Sequence, residues 1–114
     1  MSNQIPKRFV SQKKIMNVDV ETLWDLITRP GHLEDVHPYC LSNKVVKWED
    51  KGCTDVLVYS NGRTFVRNFK PWNFQKGYEL WIGPENATQH FVRWDIEGID
   101  KRSSLTITIY PSIL

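Results

Sequence analysis

Two histidines and two carboxylates lie close together in one short segment. His32 and His37 are five positions apart, with two acidic residues between them. A metal site on a helix needs its ligands on one face, at spacings of three or four residues. The histidine spacing does not meet that requirement, and Pro38 ends any helix next to His37. We therefore predict no metal site and no cofactor, and we interpret both histidines as solvent-exposed or helix-capping residues.

Candidate catalytic residues are present, but none forms a recognised arrangement. Cys40 is close to His37, as a thiol nucleophile and its base must be, yet no third group is placed to orient the histidine. His90, Tyr59 and Asp95 are of the types that perform general acid–base catalysis. Because no spacing distinguishes these three residues, the sequence leaves open whether the protein is an enzyme.

Arg67 and Arg93 lie in strand-like segments among aromatic residues. An arginine inside a cavity can anchor the carboxylate or phenolate of a ligand. The alternative is cross-strand ion pairing on a solvent-exposed sheet face, which we favour because charged side chains are mostly exposed. Arg67 is the better candidate for a ligand contact, since it shares a strand face with Phe65 and Phe69.

The composition indicates one folded domain. The chain has 114 residues, 40% of them hydrophobic, with five Trp, five Phe and four Tyr. Aromatic side chains dominate both cores and ligand pockets, so the tryptophans fit either role. The net charge of +2 is too balanced to indicate a nucleic-acid partner.

The sequence contains no targeting or membrane-spanning signal. No apolar stretch is long enough for a span, and the N-terminus lacks the apolar core of a secretion signal. The two cysteines, Cys40 and Cys53, are not spaced as a metal-binding pair. These features predict a cytoplasmic protein with free thiols.

Two short helices are predicted early in the chain, over 19–30 and 30–38. Asp19 is a suitable N-cap for the first. Apolar residues, including Trp24, recur at helical spacing after it. Pro30 ends this helix because proline disfavours helical backbone at the preceding residue.

Seven strands are predicted from apolar alternation and turn signals, one before the helices and six after them. Asn61-Gly62 is a strong hairpin signal because both central residues of such a turn take positive φ. Ser103 is assigned to the turn before the last strand, in which only one face is apolar. The predicted strands cover 7–18, 41–49, 54–60, 63–72, 78–82, 89–97 and 104–110.

This order of elements predicts an α+β fold with an antiparallel sheet. A sheet of seven strands twists too strongly to stay flat. Two short helices cover only part of such a sheet, so we expect it to curve strongly.

Several local phrases resemble the START-like, or SRPBCC, superfamily of Bet v 1-like, polyketide cyclase/dehydrase and lipid-transport proteins. "VDVETLWDLITRPGHLEDVHP" is similar to that superfamily's exit from the first strand and its helix pair. "VYSNGRTFVRNF" resembles its third and fourth strands, and "SSLTITIYP" resembles its last strand. The resemblance extends from about Phe9 to Pro111.

The resemblance implies a helix-grip-like fold, a curved seven-stranded antiparallel sheet with two short helices between strands 1 and 2. In relatives, a closing C-terminal helix lies across the concave sheet and encloses a cavity for apolar ligands. That helix is absent from this sequence, so we expect residues 1–114 to form a single START-like domain that is incomplete at its C-terminus. An open apolar face marks an interface, and we predict a homodimer in which two sheets cover each other.

The resemblance also implies a function, the binding of a hydrophobic small molecule over the concave sheet. A lipid, an aromatic compound or a polyketide-like compound would fit. One alternative is a polyketide cyclase or dehydratase-type enzyme that uses general acid–base chemistry, and a second is a protein-interaction module. The residues predicted to face the ligand are Phe65, Arg67, Tyr78, Leu80, Trp94, Leu105 and Ile107.

Overall fold

The computed structural model describes residues 8–37, 39–49 and 52–111. The predicted order of one strand, two helices and six strands is confirmed. The predicted helix stop at Pro38 and part of the turn before the third strand lie outside the described residues, as does the end of the chain after Pro111. The elements are β1 (Val10–Met16), α1 (Val20–Ile27), α2 (Leu33–Val36), β2 (Cys40–Glu49), β3 (Gly52–Tyr59), β4 (Thr64–Phe69), β5 (Gly77–Gly83), β6 (His90–Ile99) and β7 (Arg102–Tyr110).

All seven strands form one antiparallel sheet in the order β1-β7-β6-β5-β4-β3-β2. Strands β2 to β7 follow one another as a meander, and β1 pairs with β7, the last strand. The sheet is curved, and register shifts in β2 beside Cys40 and Val45 mark bulges of the kind that bend strands. The predicted α+β fold with a helix-grip architecture is therefore confirmed.

The first helix begins at the predicted cap. Asp19 accepts a hydrogen bond from the backbone N–H of Thr22 at 2.8 Å, which satisfies one of the free amides of the first turn. Helix α1 then buries Leu23, Trp24 and Ile27 against the sheet. We call this helix-covered, concave side of the sheet the inner face and the opposite side the outer face.

The predicted hairpin between β3 and β4 is present, but its turn differs from the prediction. The amide of Gly62 donates to the carbonyl of Tyr59 at 2.9 Å, and Gly62 has φ of +84°. Asn61 has negative φ, and its side chain accepts from the amide of Arg63 at 3.0 Å. The longer loop thus needs only one left-handed residue, which the glycine supplies.

The outer face carries an aromatic cluster that was not predicted. Trp81, Phe91 and Tyr110 are direct neighbours across β5, β6 and β7. Their ring centroids are separated by 5.0 Å and 5.7 Å, and only 1% of Phe91 is exposed. This cluster stabilises the sheet from the side that the helices leave uncovered.

Candidate functional site

A cavity of about 870 Å³ lies over the inner face, between the sheet and α1. Its walls come from β1, the two helices and strands β3 to β7 and are mainly aliphatic and aromatic. Of the seven residues predicted to face the ligand, Tyr78 does not line the cavity but is buried in the adjoining core on the same face. The predicted residues that line this cavity are Phe65, Arg67, Leu80, Trp94, Leu105 and Ile107.

Strand register explains why these positions meet. Trp94 pairs with Ile107 across β6 and β7, and Tyr78 pairs with Trp94 across β5 and β6. Directly paired residues in an antiparallel sheet point to the same face, and residues two apart on one strand share it. The alternation on β7 therefore fixes which side chains of its neighbours also face inward.

Arg67 and Asp55 form a buried ion pair beside the cavity. They are direct partners across β3 and β4, and the guanidinium donates to the carboxylate from Nε at 2.8 Å and from Nη2 at 2.5 Å. Only 2% of Arg67 and 0% of Asp55 is exposed. Cross-strand ion pairing is thus confirmed for Arg67, but the predicted solvent-exposed location is wrong, because the pair lies on the inner face, where each charge compensates the other.

His32 is also buried, so the prediction of an exposed or capping side chain is wrong for this residue. It holds the N-cap position of α2, but its ring makes no capping bond and 0% of the residue is exposed. Nδ1 lies 3.0 Å from the carbonyl of Arg29, and Nε2 lies 3.5 Å from Nη2 of Arg67. These contacts assign the proton to Nδ1 and leave Nε2 as the acceptor for the arginine.

Burial and the neighbouring cation keep His32 uncharged. Loss of solvation, and after it the charge of Arg67, lowers the pKa of His32 from 6.5 to about 4. The ring is therefore neutral at physiological pH. His32 can position Arg67, whereas it does not line the cavity.

Two further side chains, those of Asn43 and Tyr78, connect the residues around Arg67 to the helices. Asn43 donates to Oδ2 of Asp55 at 2.9 Å and accepts from the amide of Leu33 at 3.2 Å. Tyr78 donates to the carbonyl of Ile27 at 2.8 Å. Burial raises the pKa of Tyr78 well above its ordinary value, so the phenol stays protonated. We refer to His32, Asn43, Asp55, Arg67 and Tyr78 as the buried network.

Sequence analysis found Arg67 and Tyr78 but missed the other members of the buried network. A usable signal was present for Asp55, which alternates with Cys53 and Leu57 on the buried face of β3. An acid at such a position requires a cation or several donors beside it. The facing strand supplies Arg67.

Of the candidate acid–base residues, Tyr59 and His90 line the cavity, together with His37. The rings of Tyr59 and His37 are 5.3 Å apart, and burial raises the pKa of the Tyr59 phenol. His37 holds the C-cap position of α2, where its backbone N–H donates to the carbonyl of Leu33 and its ring accepts from the amide of Tyr39 at 3.2 Å.

Asp95 instead lies on the outer face, 3.4 Å from Arg93 on the same strand. Arg93 also pairs across the sheet with Glu79 at 3.5 Å, which confirms the prediction of cross-strand ion pairing for Arg93.

The nucleophile candidates are poorly suited to chemistry. Cys40 and Cys53 are free thiols, and burial raises the pKa of each, which disfavours the reactive thiolate. Ser103 was assigned to a turn but lies buried in β7, and its hydroxyl donates to the carbonyl of Val18 at 2.7 Å. In the described ranges, no three His, Cys, Asp or Glu side chains are grouped closely enough to hold a metal ion.

Comparison with known proteins gives matches at the level of structure. No family model matches the sequence, and no curated protein matches it. The chain is similar to the Zhui aromatase/cyclase from Streptomyces sp. R1128, with a TM-score of 0.76 and 12% identity over 90% of this chain and 66% of that one. This chain therefore spans just under two thirds of the length of that aromatase/cyclase.

Two more solved structures show the same likeness. A Bacillus thuringiensis protein has a TM-score of 0.76 and 17% identity over 94% of this chain and 81% of its own. A START superfamily protein from Mycobacterium smegmatis has a TM-score of 0.68 and 12% identity over 89% of this chain and 74% of its own. Identities this low establish the fold and not the activity.

The sheet order, the helix pair and the cavity together define the structural class. The chain has the START-like, or SRPBCC, helix-grip fold, as its sequence patterns suggested. Within the part of the chain that the structure describes, no helix is long and apolar enough to cross a membrane.

Proposed function

We propose that the protein binds a hydrophobic small molecule, such as a lipid, an aromatic compound or a polyketide-like compound, in the cavity over the inner face. The cavity carries this proposal. Its volume of about 870 Å³ lies within the range of about 300–1,000 Å³ that is typical of small-molecule sites. Its walls are mainly apolar, with a few polar groups that include Arg67 and Tyr59.

Burial of apolar ligand surface supplies the driving force. Each Å² removed from water contributes about 25 cal/mol, so about 300 Å² corresponds to roughly 7 kcal/mol before the costs of association and ordering. Leu105, Ile107 and Trp94 line this surface. Tyr59 and Arg67 supply donors that can orient a polar group of the ligand.

Native mass spectrometry of freshly purified protein tests the proposal. We expect a reproducible extra mass of a few hundred daltons that is lost on denaturation. The variant Leu105→Phe/Ile107→Phe fills the cavity from β7 and should abolish the extra mass. Thr106→Phe is the matched control, because Thr106 points away from the cavity on the same strand and pairs with Asp95. Equal ligand occupancy in all three proteins would contradict binding in this cavity.

A second candidate function is general acid–base catalysis on a bound ligand, as in a polyketide cyclase or dehydratase. The observation that favours it is the presence of Tyr59, His37 and His90 on the wall of the same cavity. We expect turnover of a polyketide-like substrate with a pH–rate profile that His90→Ala or Tyr59→Phe abolishes. Ligand binding without turnover across a substrate panel would instead favour the binding function alone.

A further inference from the structure

The deep end of the cavity is electrically neutral, although an arginine lines it. Arg67 donates from two nitrogens to Asp55, so the two charges cancel within the buried pair. His32, which also contacts Arg67, is uncharged. A ligand carboxylate placed here would add an uncompensated negative charge to a desolvated site, which is costly. This end of the cavity therefore favours a neutral oxygen acceptor over an anion.

An uncompensated cation of the cavity lies at its β1 wall. Lys14 pairs directly with Leu105 across β1 and β7 and shares its face, and both residues line the cavity. Lys13 borders the same wall, but it pairs with Thr106 and its side chain points to the outer face. Among the described residues, no carboxylate lies within 4.0 Å of either amine.

No acidic side chain offsets these amines along the cavity wall. Its described lining includes Lys13, Lys14, Arg67, His37 and His90, and contains neither Asp nor Glu. Lys14 is exposed, as is Val10, which lies on the same face near the start of β1. A charge at this wall therefore remains in contact with water and avoids the desolvation cost of the deep end.

We propose that the cavity takes an amphiphilic carboxylate in one orientation, with the carboxylate at Lys14 and the apolar body against Leu105 and Ile107. This inference rests on the proposed binding function and adds the class and direction of the ligand. It also revises the hypothesis that Arg67 anchors the acid. Arg67 instead lies opposite a neutral or apolar end of the ligand.

Decanoate and 1-decanol test this orientation because they share a chain length and differ in charge at pH 7.5. Binding is followed by quenching of tryptophan fluorescence, since Trp94 lines the cavity. An exposed ion pair corresponds to about two- to five-fold in Kd. We expect Lys14→Gln to weaken decanoate binding by about this factor and to leave decanol binding unchanged. Lys13→Gln removes a charge from the outer face of the same strand and should have a smaller effect on decanoate binding.

The matched control is Lys101→Gln, which removes the same charge from an exposed turn between β6 and β7. It should leave the binding of both probes unchanged. Added NaCl should reduce decanoate binding to the wild type, because screening shortens the range of an exposed charge pair. It should not reduce decanoate binding to Lys14→Gln.

NMR of decanoate labelled with ¹³C at its carboxyl group reports the orientation directly. The bound carboxyl signal should still titrate with pH, as expected for a group at a solvated wall, and its shift should change in Lys14→Gln. Equal effects of the lysine variants on decanoate and decanol, or no effect on either probe, would overturn this inference while the binding function stands. Failure of the wild type to bind both probes would overturn the two together.

Discussion

Replacing His32 with glutamine should remove a large part of the pH dependence of stability. The folded protein holds this ring uncharged, because burial removes its solvation and because Nε2 faces the guanidinium of Arg67. In the unfolded chain the ring has its ordinary pKa of 6.5. Between the two pKa values the unfolded chain binds more protons than the folded protein, so stability increases with pH in that window.

The magnitude follows from the two pKa values. A decrease from 6.5 to about 4 corresponds to about 3 kcal/mol, at 1.36 kcal/mol per pH unit. This stability is fully present above pH 6.5 and is lost as the pH falls toward 4. Across an accessible range of about pH 4.5 to 7.5, the free energy of unfolding attributable to His32 should change by about 2–3 kcal/mol.

Urea denaturation at several pH values measures this effect. At each pH, the unfolding free energy of His32→Gln is subtracted from that of the wild type, so that the contributions of the other titrating groups cancel. This difference should increase with pH over the range of about pH 4.5 to 7.5. The matched control is His37→Gln, whose unfolding free energy should change with pH as steeply as that of the wild type, because His32 is still present. A difference between wild type and His32→Gln that stays constant with pH would refute the reasoning. So would an NMR titration of the His32 ring with a midpoint near 6.5.

Three further predictions concern the buried ion pair, one glycine and the open sheet. Arg67→Met should cost about 3–5 kcal/mol in urea denaturation, whereas Arg67→Met/Asp55→Leu should recover most of that loss; equal losses in both would contradict the compensation argument. Gly77→Ala should cost more than about 4 kcal/mol or prevent folding, because Gly77 has φ of +142° and an added Cβ would overlap the carbonyl of Trp94. A cooperative thermal transition at the wild-type temperature would contradict this. Size-exclusion chromatography with light scattering should show a homodimer, because apolar side chains remain exposed along β1 and β7, and a stable monomer would exclude it.

The fold could be predicted well because its signals are local. Alternating apolar residues mark the strands, Asp19 marks the start of α1, and the hairpin follows from Gly62. The facing direction of the cavity residues followed from β7, where only one face of the strand is apolar. The cavity lining then depended on correct alternation in the other strands.

The buried network could not be predicted because its members are polar residues that depend on each other. Arg67 is buried only because Asp55 faces it across the sheet, and base rates for single charged residues favour exposure. His32 and Asn43 are placed by contacts between α2 and the sheet. Such contacts are not encoded by spacing along the chain.

The pairing of β1 with β7 has a consequence for how the protein folds. Val10 pairs with Ile109, and the hydroxyl of Ser103 donates to the carbonyl of Val18, so one wall of the cavity joins the first and the last strand of the sheet. During synthesis, β1 has no strand partner until the two helices and strands β2 to β6 have been made and β7 follows them. Closing so long a loop makes this wall the entropically expensive step. We expect the meander of β2 to β6 to assemble first, with the ligand site completed only when β7 brings β1 into place.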